Sequence, residues 1–218
     1  MDQRCILCSS MDVELYIANL RSKNYFKCNN CFLIFVDTKF HLNFSEQKLR
    51  YDFHENSIDN PGYVSFLKKC INPTLPYIWK LGKNSDLQGL DFGSGPSPTL
   101  SEILSQNNLK VDNYDPIYFK EFPTKKYDFI FSTEVWEHFH EPLVEIQKIK
   151  NLLKPSAVVS VMTSTWNDGT DFETWYYPKD ETHVCFFHEK TFSKIGDIFN
   201  FEILENPMDS IWIFQNVS

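Results

Sequence analysis

The segment most informative about the fold class extends from Leu87 to Pro98 and reads LQGLDFGSGPSP. A short apolar run leads into a turn that contains Gly93 and Gly95, and the residues after it have a helical periodicity. The apolar face of that helix consists of Leu100, Ile103 and Leu104. The pattern predicts a strand, a glycine loop and a helix in succession. Because the chain has only seven glycines, two in one loop indicate a place where a ligand approaches the backbone.

Apolar runs further along the chain extend this unit into a parallel sheet. Three more strands are predicted at residues 110–114, 127–131 and 157–162. A helix is predicted to begin at Pro142 and to be ended by Pro155. The last segments predict a helix and an antiparallel strand pair, at residues 190–200, 201–204 and 210–214. The predicted fold class is α/β, with a Rossmann-like, mostly parallel sheet.

The glycine loop also distinguishes between two kinds of ligand. Asp115 lies 22 positions beyond Gly93, which suits a carboxylate that binds the ribose of either a dinucleotide or S-adenosylmethionine. A pyrophosphate needs several backbone N–H donors from the loop, and Pro96 and Pro98 remove two of them. S-adenosylmethionine has no phosphate and needs only close backbone approach. The loop therefore favours S-adenosylmethionine.

The order and spacing of several motifs resemble one family. The motifs are LDFGSG at 90–95, YDP at 114–116, YDFI at 127–130 with EVWEH at 134–138, and LLKP at 152–155. Together they resemble the class I S-adenosylmethionine-dependent methyltransferases, particularly bacterial proteins similar to the ubiquinone-biosynthesis methylases, over residues 88 to about 215. The resemblance implies a cofactor pocket formed by Asp91, Gly93, Ser94, Gly95 and Asp115, with Ser132, Thr133 and Glu134 at the end of the next strand.

The chain departs from the family pattern after Asp115. Only twelve residues separate Asp115 from Asp128, where the family normally inserts a helix and another strand. We therefore expect about six strands instead of seven. The adenine ring then loses a usual wall, and Tyr118 or Phe119 is the expected replacement.

Composition and charge argue against several classes of protein, namely disordered, nucleic-acid-binding and membrane proteins. Hydrophobic residues make up 42% and aromatic residues 16% of the chain, which excludes disorder. A net charge of −8 without a basic run disfavours a nucleic-acid partner. The sequence has no apolar stretch long enough for a membrane span and no signal-peptide pattern, so we expect a cytoplasmic protein without a membrane partner.

Two CxxC pairs near the N-terminus have the spacing of a zinc site. Nineteen residues separate the pairs, as in zinc ribbons with four cysteine ligands. The predicted ligands are Cys5, Cys8, Cys28 and Cys31. Four thiolates leave no open position on the ion, so this zinc is expected to be structural. The alternative is that the thiols are buried and unrelated, which is the interpretation we favour for Cys70 and Cys185.

The predicted organisation is a zinc ribbon at 1–40, a helical linker at 41–86 and a Rossmann-like methyltransferase domain at 87–218. A helix is predicted over residues 45–56, and its polar face presents Arg50, Tyr51 and His54 as candidate substrate contacts. A solvated helix face is the alternative interpretation. The next helix is predicted to start with Asn60 as N-cap and to be disrupted by prolines at 73 and 76.

Residues 164–188, which we call the lid, are rich in aromatic residues and too long for a simple connection. They follow the fourth predicted strand, so they are expected to shape an acceptor pocket. The candidate substrate contacts in the lid are Trp175, Tyr176 and Tyr177. The alternative is that these aromatic rings only cover the sheet.

Methyl transfer needs mainly positioning and exclusion of water, and it needs a base only when the acceptor has a high pKa. The candidate catalytic residues are Glu137, His138 and His183. Glu137 and His138 resemble a Glu-His pair of the family, although packing at a helix start explains them equally well.

Three functions follow as hypotheses. The first is a methyltransferase acting on a small-molecule or glycan-like acceptor. The second is a methylase of RNA or protein that uses the zinc ribbon for recognition, for which only Arg4, Arg21, Lys23 and Lys27 supply basic groups. The third is a binding module whose catalytic activity has decayed.

Overall fold

The computed structural model describes residues 3–52 and 56–217. The strands are β1 (Val13–Leu20), β2 (Lys23–Cys28), β3 (Ile34–Val36), β4 (Gln88–Phe92), β5 (Lys110–Tyr114), β6 (Tyr127–Thr133), β7 (Leu153–Met162), β8 (Cys185–Phe186), β9 (Phe201–Met208) and β10 (Ile211–Asn216). The helices are α1 (Phe44–Tyr51), α2 (Pro61–Trp79), α3 (Thr99–Ser105), α4 (Pro142–Asn151) and α5 (Glu189–Phe199). None of the described helices combines the length and the apolar character that crossing a bilayer requires.

The main sheet has six strands in the order β5-β4-β6-β7-β10-β9. The first four are parallel, and β10 is antiparallel to both of its neighbours. The prediction of a mostly parallel, six-stranded Rossmann-like sheet is confirmed. Strand β5 is an edge strand because the short segment after it forms only an isolated bridge between Asp115 and Phe119.

Helix α2 continues through Pro73 and Pro76, so the expectation that these prolines disrupt it was wrong. An internal proline costs about 3 kcal/mol. The opposite face of the helix buries six residues against the sheet, and each fully buried aliphatic side chain contributes about 1.5–3 kcal/mol. They are Leu67, Cys70, Ile71, Thr74, Leu75 and Ile78. Burial of this face therefore outweighs the two prolines.

Two other helix ends differ from the sequence predictions. Helix α1 ends at Tyr51 and does not extend to Asn56, whose carbonyl accepts a hydrogen bond from Thr99 Oγ1 at 2.7 Å. Helix α4 ends at Asn151, before Pro155 is reached. Pro155 lies in β7 because that strand already begins at Leu153, which pairs with Tyr127.

A second sheet has the order β1-β2-β3-β8 and carries the two CxxC pairs. Its fourth strand comes from the lid: Phe186 pairs with Ile34, and Cys185 pairs with Phe35. The buried residues of this sheet belong to the same hydrophobic cluster as those on one face of the main sheet. The ribbon and the lid are thus joined by backbone hydrogen bonds and by a shared core.

Candidate active site

A cavity of about 680 Å³ opens beyond the carboxyl ends of β4, β5 and β6, where ligands bind in open α/β sheets. Its volume is within the range of about 300–1,000 Å³ that is usual for small-molecule sites. The glycine loop lines one end, and residues of α1 and the lid line the other. Both ends belong to one continuous space.

The glycine loop needs glycine at both positions for different reasons. At Gly93 the backbone is left-handed, with φ 86°, and an added Cβ would lie 2.4 Å from Val135 Cγ2. At Gly95 φ is 65°, but the nearest atom to an added Cβ is Asn56 Nδ2 at 3.6 Å. An added Cβ would therefore be in ordinary contact with Asn56 without a clash. The Gly95 backbone itself lines the cavity, so a ligand can contact it there.

Asp115 is held rigidly at the end of β5. Its Oδ1 accepts hydrogen bonds from the backbone N–H groups of Ile117 and Tyr118 at 2.8 and 3.1 Å. Its Oδ2 accepts one from Gly95 N–H at 3.1 Å. A carboxylate oxygen can accept two hydrogen bonds, so Oδ2 retains one lone pair for a donor in the cavity.

Two further acidic residues line the cavity, of which Asp91 is buried and Glu134 is half-buried. Burial, and then the charge of Asp115, raises the pKa of Asp91 to about 7, and its Oδ1 has no hydrogen-bond partner. Burial, and then the charge of Glu137, raises the pKa of Glu134 to about 9. Buried carboxyl groups of this kind favour a cationic ligand, because a nearby positive charge stabilises their ionised forms.

These features fit the donors of S-adenosylmethionine. Its ammonium and sulfonium groups are cationic, its ribose offers two hydroxyl donors, and its amino-carboxylate end needs an open backbone. The unpartnered Oδ1 of Asp91, the remaining lone pair of Asp115 and the cavity-lining backbone of Gly95 match these three requirements. The residues that would hold the group are thus present in suitable chemical form.

The other predicted cofactor residues divide into two sets. Ser94, Thr133 and Glu134 line the cavity. Ser132 does not: it is fully buried, and its Oγ donates to the carbonyl of Phe92 at 3.1 Å. Of the two expected substitutes for the adenine wall, Tyr118 lines the cavity and Phe119 does not.

The three candidate catalytic residues lie together at the other end of the cavity. One ligand atom from each of Glu137, His138 and His183 lies within 4.8 Å of the other two. His138 and His183 line the cavity, whereas the Glu137 side chain lies behind them and is completely buried. Burial lowers the pKa of His183, so its ring is neutral at neutral pH.

The lid places its three predicted substrate contacts differently. Tyr176 and Tyr177 line the cavity. Burial, and then the charge of Glu137, raises the pKa of Tyr177 well above its usual value, and its hydroxyl lies 3.0 Å from Thr163 Oγ1. Trp175 lies outside the cavity and borders a shallow hollow with Met208.

Of the candidate substrate contacts in α1, one lines the cavity and one does not. Tyr51 lines the cavity, with its ring centroid 5.3 Å from that of His138. Arg50 forms an ion pair with Glu181 at the surface and does not reach the cavity. His54 is outside the described residues.

Many residues of the cavity wall were not predicted from the sequence. They include Gln47, Tyr63, Phe66 and Asp180. Tyr63 and Phe66 lie in the first turns of α2 with their ring centroids 6.3 Å apart. Their i, i+3 spacing was an available signal that these aromatic residues share one helix face.

The four ribbon cysteines converge on one point. All four Sγ atoms lie within 4.8 Å of one another, with 3.5 Å between Cys5 and Cys31 and 3.6 Å between Cys8 and Cys28. Thiolates at about 2.3 Å from a shared zinc ion in tetrahedral geometry lie about 3.8 Å apart. The four side chains fit zinc, and they are also too far apart for disulfide bonds, whose S–S length is about 2.05 Å.

Comparison with known proteins gives the family. The model of a family described as "methyltransferase domain" matches residues 63–206, more than half of the chain. The chain belongs to this family, and it is an S-adenosylmethionine-dependent methyltransferase of class I. No curated protein matches its sequence significantly.

Solved structures similar to the chain include two methyltransferases of low sequence identity. Magnesium protoporphyrin IX methyltransferase from Synechocystis PCC 6803 is 16% identical, with a TM-score of 0.49 over 83% of this chain and 97% of that chain. An O-methyltransferase family protein from Burkholderia thailandensis is 12% identical, with a TM-score of 0.45 over 79% of this chain and 63% of that chain.

Proposed function

We propose that this enzyme transfers the methyl group of S-adenosylmethionine to a small-molecule or glycan-like acceptor bound between α1 and the lid. The observation that carries the proposal is the continuous cavity that extends from the glycine loop to His138 and His183. A donor bound at the first end and an acceptor bound at the second end share this one space.

Each residue that lines the donor end suits a particular part of S-adenosylmethionine. Gly93, Gly95 and Asp91 are suited to the amino-carboxylate part of the ligand, and Asp115 is suited to the ribose hydroxyls. Thr133 and Glu134 extend this end towards the acceptor, and Tyr118 provides a ring for the base. The bound donor supplies an electrophilic methyl group on a sulfonium ion.

The acceptor end supplies positioning and a place for a proton. Tyr51, Tyr176 and Tyr177 offer ring faces and hydroxyl groups that suit a polar, ring-shaped molecule. His138 Nδ1 lies 3.2 Å from the Thr182 carbonyl, and His183 Nδ1 lies 2.9 Å from the Tyr177 carbonyl. A carbonyl can only accept, so each Nδ1 is the donor, and the neutral form of each ring has its lone pair on Nε2. Either Nε2 is suited to receive the proton that the acceptor loses.

Recognition of a macromolecule through the ribbon is less well supported, because three of the four basic residues considered for it have partners within the chain. Arg21 donates to the carbonyl of Glu173, and Lys23 donates to the carbonyl of Glu181. Lys27 lies over the Trp166 ring at 5.3 Å from its centroid. These contacts tie the ribbon to the lid, and we propose a structural role for the zinc.

The first test is isothermal titration of zinc-loaded protein with S-adenosylmethionine. Asp115→Asn can still accept from the backbone of Ile117 and Tyr118 through Oδ1. An NH2 group replaces Oδ2, so the variant loses both the charge there and the acceptor for Gly95 N–H, and hydrogen bonds to charged groups contribute about 1.5–3 kcal/mol. We expect its affinity to fall about 10- to 100-fold, while Asp209→Asn, an exposed acid outside the cavity, binds like wild type. Unchanged binding by Asp115→Asn would contradict the assignment of the donor end.

The second test measures S-adenosylhomocysteine release over a panel of hydroxylated small molecules and sugars. Release with at least one of them supports the proposed acceptor class. Binding of the donor without turnover on this panel, together with turnover on RNA or protein, would replace it with the macromolecular alternative. Donor binding without turnover on any substrate is the result expected of a decayed module.

A further inference from the structure

The acceptor end contains a buried carboxyl group that the proposed reaction does not explain. Glu137 is completely buried. The Tyr177 hydroxyl interacts with it, but neither of its carboxyl oxygens has a partner in good hydrogen-bond geometry. The nearest basic atom is His138 Nε2, 4.0 Å from Oε1, which is too long for a hydrogen bond. Burying an unpaired carboxylate is costly, so buried charges normally pair or bind a metal.

The two histidines are oriented as metal ligands usually are. Their Nδ1 atoms donate to the carbonyls of Thr182 and Tyr177, which leaves the Nε2 lone pairs free. Metal-binding histidines characteristically donate their second ring nitrogen to a carbonyl or carboxylate, which fixes the tautomer and the ring orientation. The two ring centroids are 4.8 Å apart.

We propose that Glu137, His138 and His183 form a second metal site, which binds a divalent ion such as Zn²⁺ at the acceptor end of the cavity. Two imidazole nitrogens and one carboxylate are an established ligand set for zinc and for other transition metals that keep open positions. The ligand atoms lie within 4.8 Å of one another, against about 3–3.5 Å around a shared ion with bonds of about 2.1 Å. Movements of about one ångström close the site.

The proposed metal site also indicates which chemical class of acceptor the enzyme methylates. His138 and His183 line the cavity, so the open positions of the ion face the acceptor. Such an ion binds oxygen and lowers the pKa of a bound hydroxyl group. The acceptor is then a hydroxyl compound. Because both Nε2 lone pairs then bind the ion, neither histidine serves as the base, and the acceptor oxygen releases its proton to water. This oxygen forms the bond to the methyl carbon, and the electron pair of the broken C–S bond stays on sulfur.

This inference rests on the proposed function for the assignment of the acceptor, but metal binding can be measured without methyl transfer. Protein saturated with Zn²⁺ and freed of excess metal is analysed by mass spectrometry for its metal content. We expect two zinc ions per chain in wild type and one in His183→Asn, with the ribbon thiols still protected from alkylation. His41→Asn is the matched control, because His41 contacts Val36 outside the cavity, and it should retain two ions.

A second variant covers the case in which His183→Asn does not fold. Glu137→Gln keeps the size of the side chain, and we expect it to bind the second ion at least about tenfold more weakly, since even outer-shell changes cost about 10- to 100-fold. One zinc ion in wild type, or an unchanged second ion in both variants, would overturn the proposal. Titration with S-adenosylmethionine is done in parallel: a protein that binds two ions but not the donor would contradict only the proposed function.

Discussion

Asp91 allows a sharp test, because it connects the stability of the fold to the binding of the donor. Its pKa rises from the usual 3.8 to about 7 on folding. At about 1.4 kcal/mol per pKa unit, this shift corresponds to about 4 kcal/mol. As the pH rises, Asp91 ionises in the unfolded chain at a lower pH than in the folded chain. Its effect on the free energy of unfolding is therefore most favourable below pH 3.8, becomes less favourable up to about pH 7 and then stays constant.

Asp91→Asn keeps the shape of the side chain but cannot ionise. In the absence of donor, we expect the variant to exceed wild type in free energy of unfolding by about 2 kcal/mol at pH 5 and about 4 kcal/mol at pH 8. Urea denaturation at the two pH values, followed by tryptophan fluorescence, measures the difference. The same variant should bind S-adenosylmethionine more weakly, because the charge opposite the ammonium group is lost.

The control for this experiment is Asp209→Asn, which changes an exposed carboxylate and should follow wild type at both pH values. If Asp91→Asn exceeds wild type in free energy of unfolding by the same amount at pH 5 and pH 8, the expectation is contradicted, because the buried carboxyl group then does not titrate in this range.

Two further predictions concern the loop and the ribbon. Gly95→Ala should lower the free energy of unfolding by about 1–2 kcal/mol, the cost of a left-handed conformation, and should greatly weaken donor binding in calorimetry. Gly169→Ala, in the exposed part of the lid, should bind the donor normally. Normal binding by Gly95→Ala would contradict close approach of the donor to the Gly95 backbone. Removal of zinc with a strong chelator should unfold the main sheet together with the ribbon, because a zinc site contributes about 10–16 kcal/mol in small zinc fingers and whole domains have only about 5–15 kcal/mol. A thermal transition of the main sheet that chelation leaves unchanged would show that the two are independent.

Local patterns predicted the main sheet well. The glycine loop, the strand at Lys110–Tyr114 and the shortened segment after Asp115 were visible because they depend on residues close together in the chain. The same reasoning failed at Pro73 and Pro76, since the energy that keeps α2 intact comes from contacts with the sheet that no local pattern contains.

The candidate site could be predicted in part for the same reason. Thr133 and Glu134 were implied by the family resemblance, as was Ser132, whose side chain points away from the cavity because side chains alternate along a strand. Trp175 was predicted from the aromatic composition of the lid, and Arg50 from the spacing of polar residues on a helix. Their positions depend on how the lid folds, and the lid folds onto the ribbon through pairing between Phe35 and Cys185, which are far apart in sequence.

That pairing has a consequence for modularity. Cys185 and Phe186 complete the ribbon sheet, and His183 lies two residues before them in the wall of the cavity. The ribbon and the lid strand therefore form one structural unit that holds His183 in the wall of the cavity. Grafting a foreign ribbon onto this enzyme, or moving this ribbon to another methyltransferase, would require exchange of the lid strand at the same time, so the two segments must be engineered together.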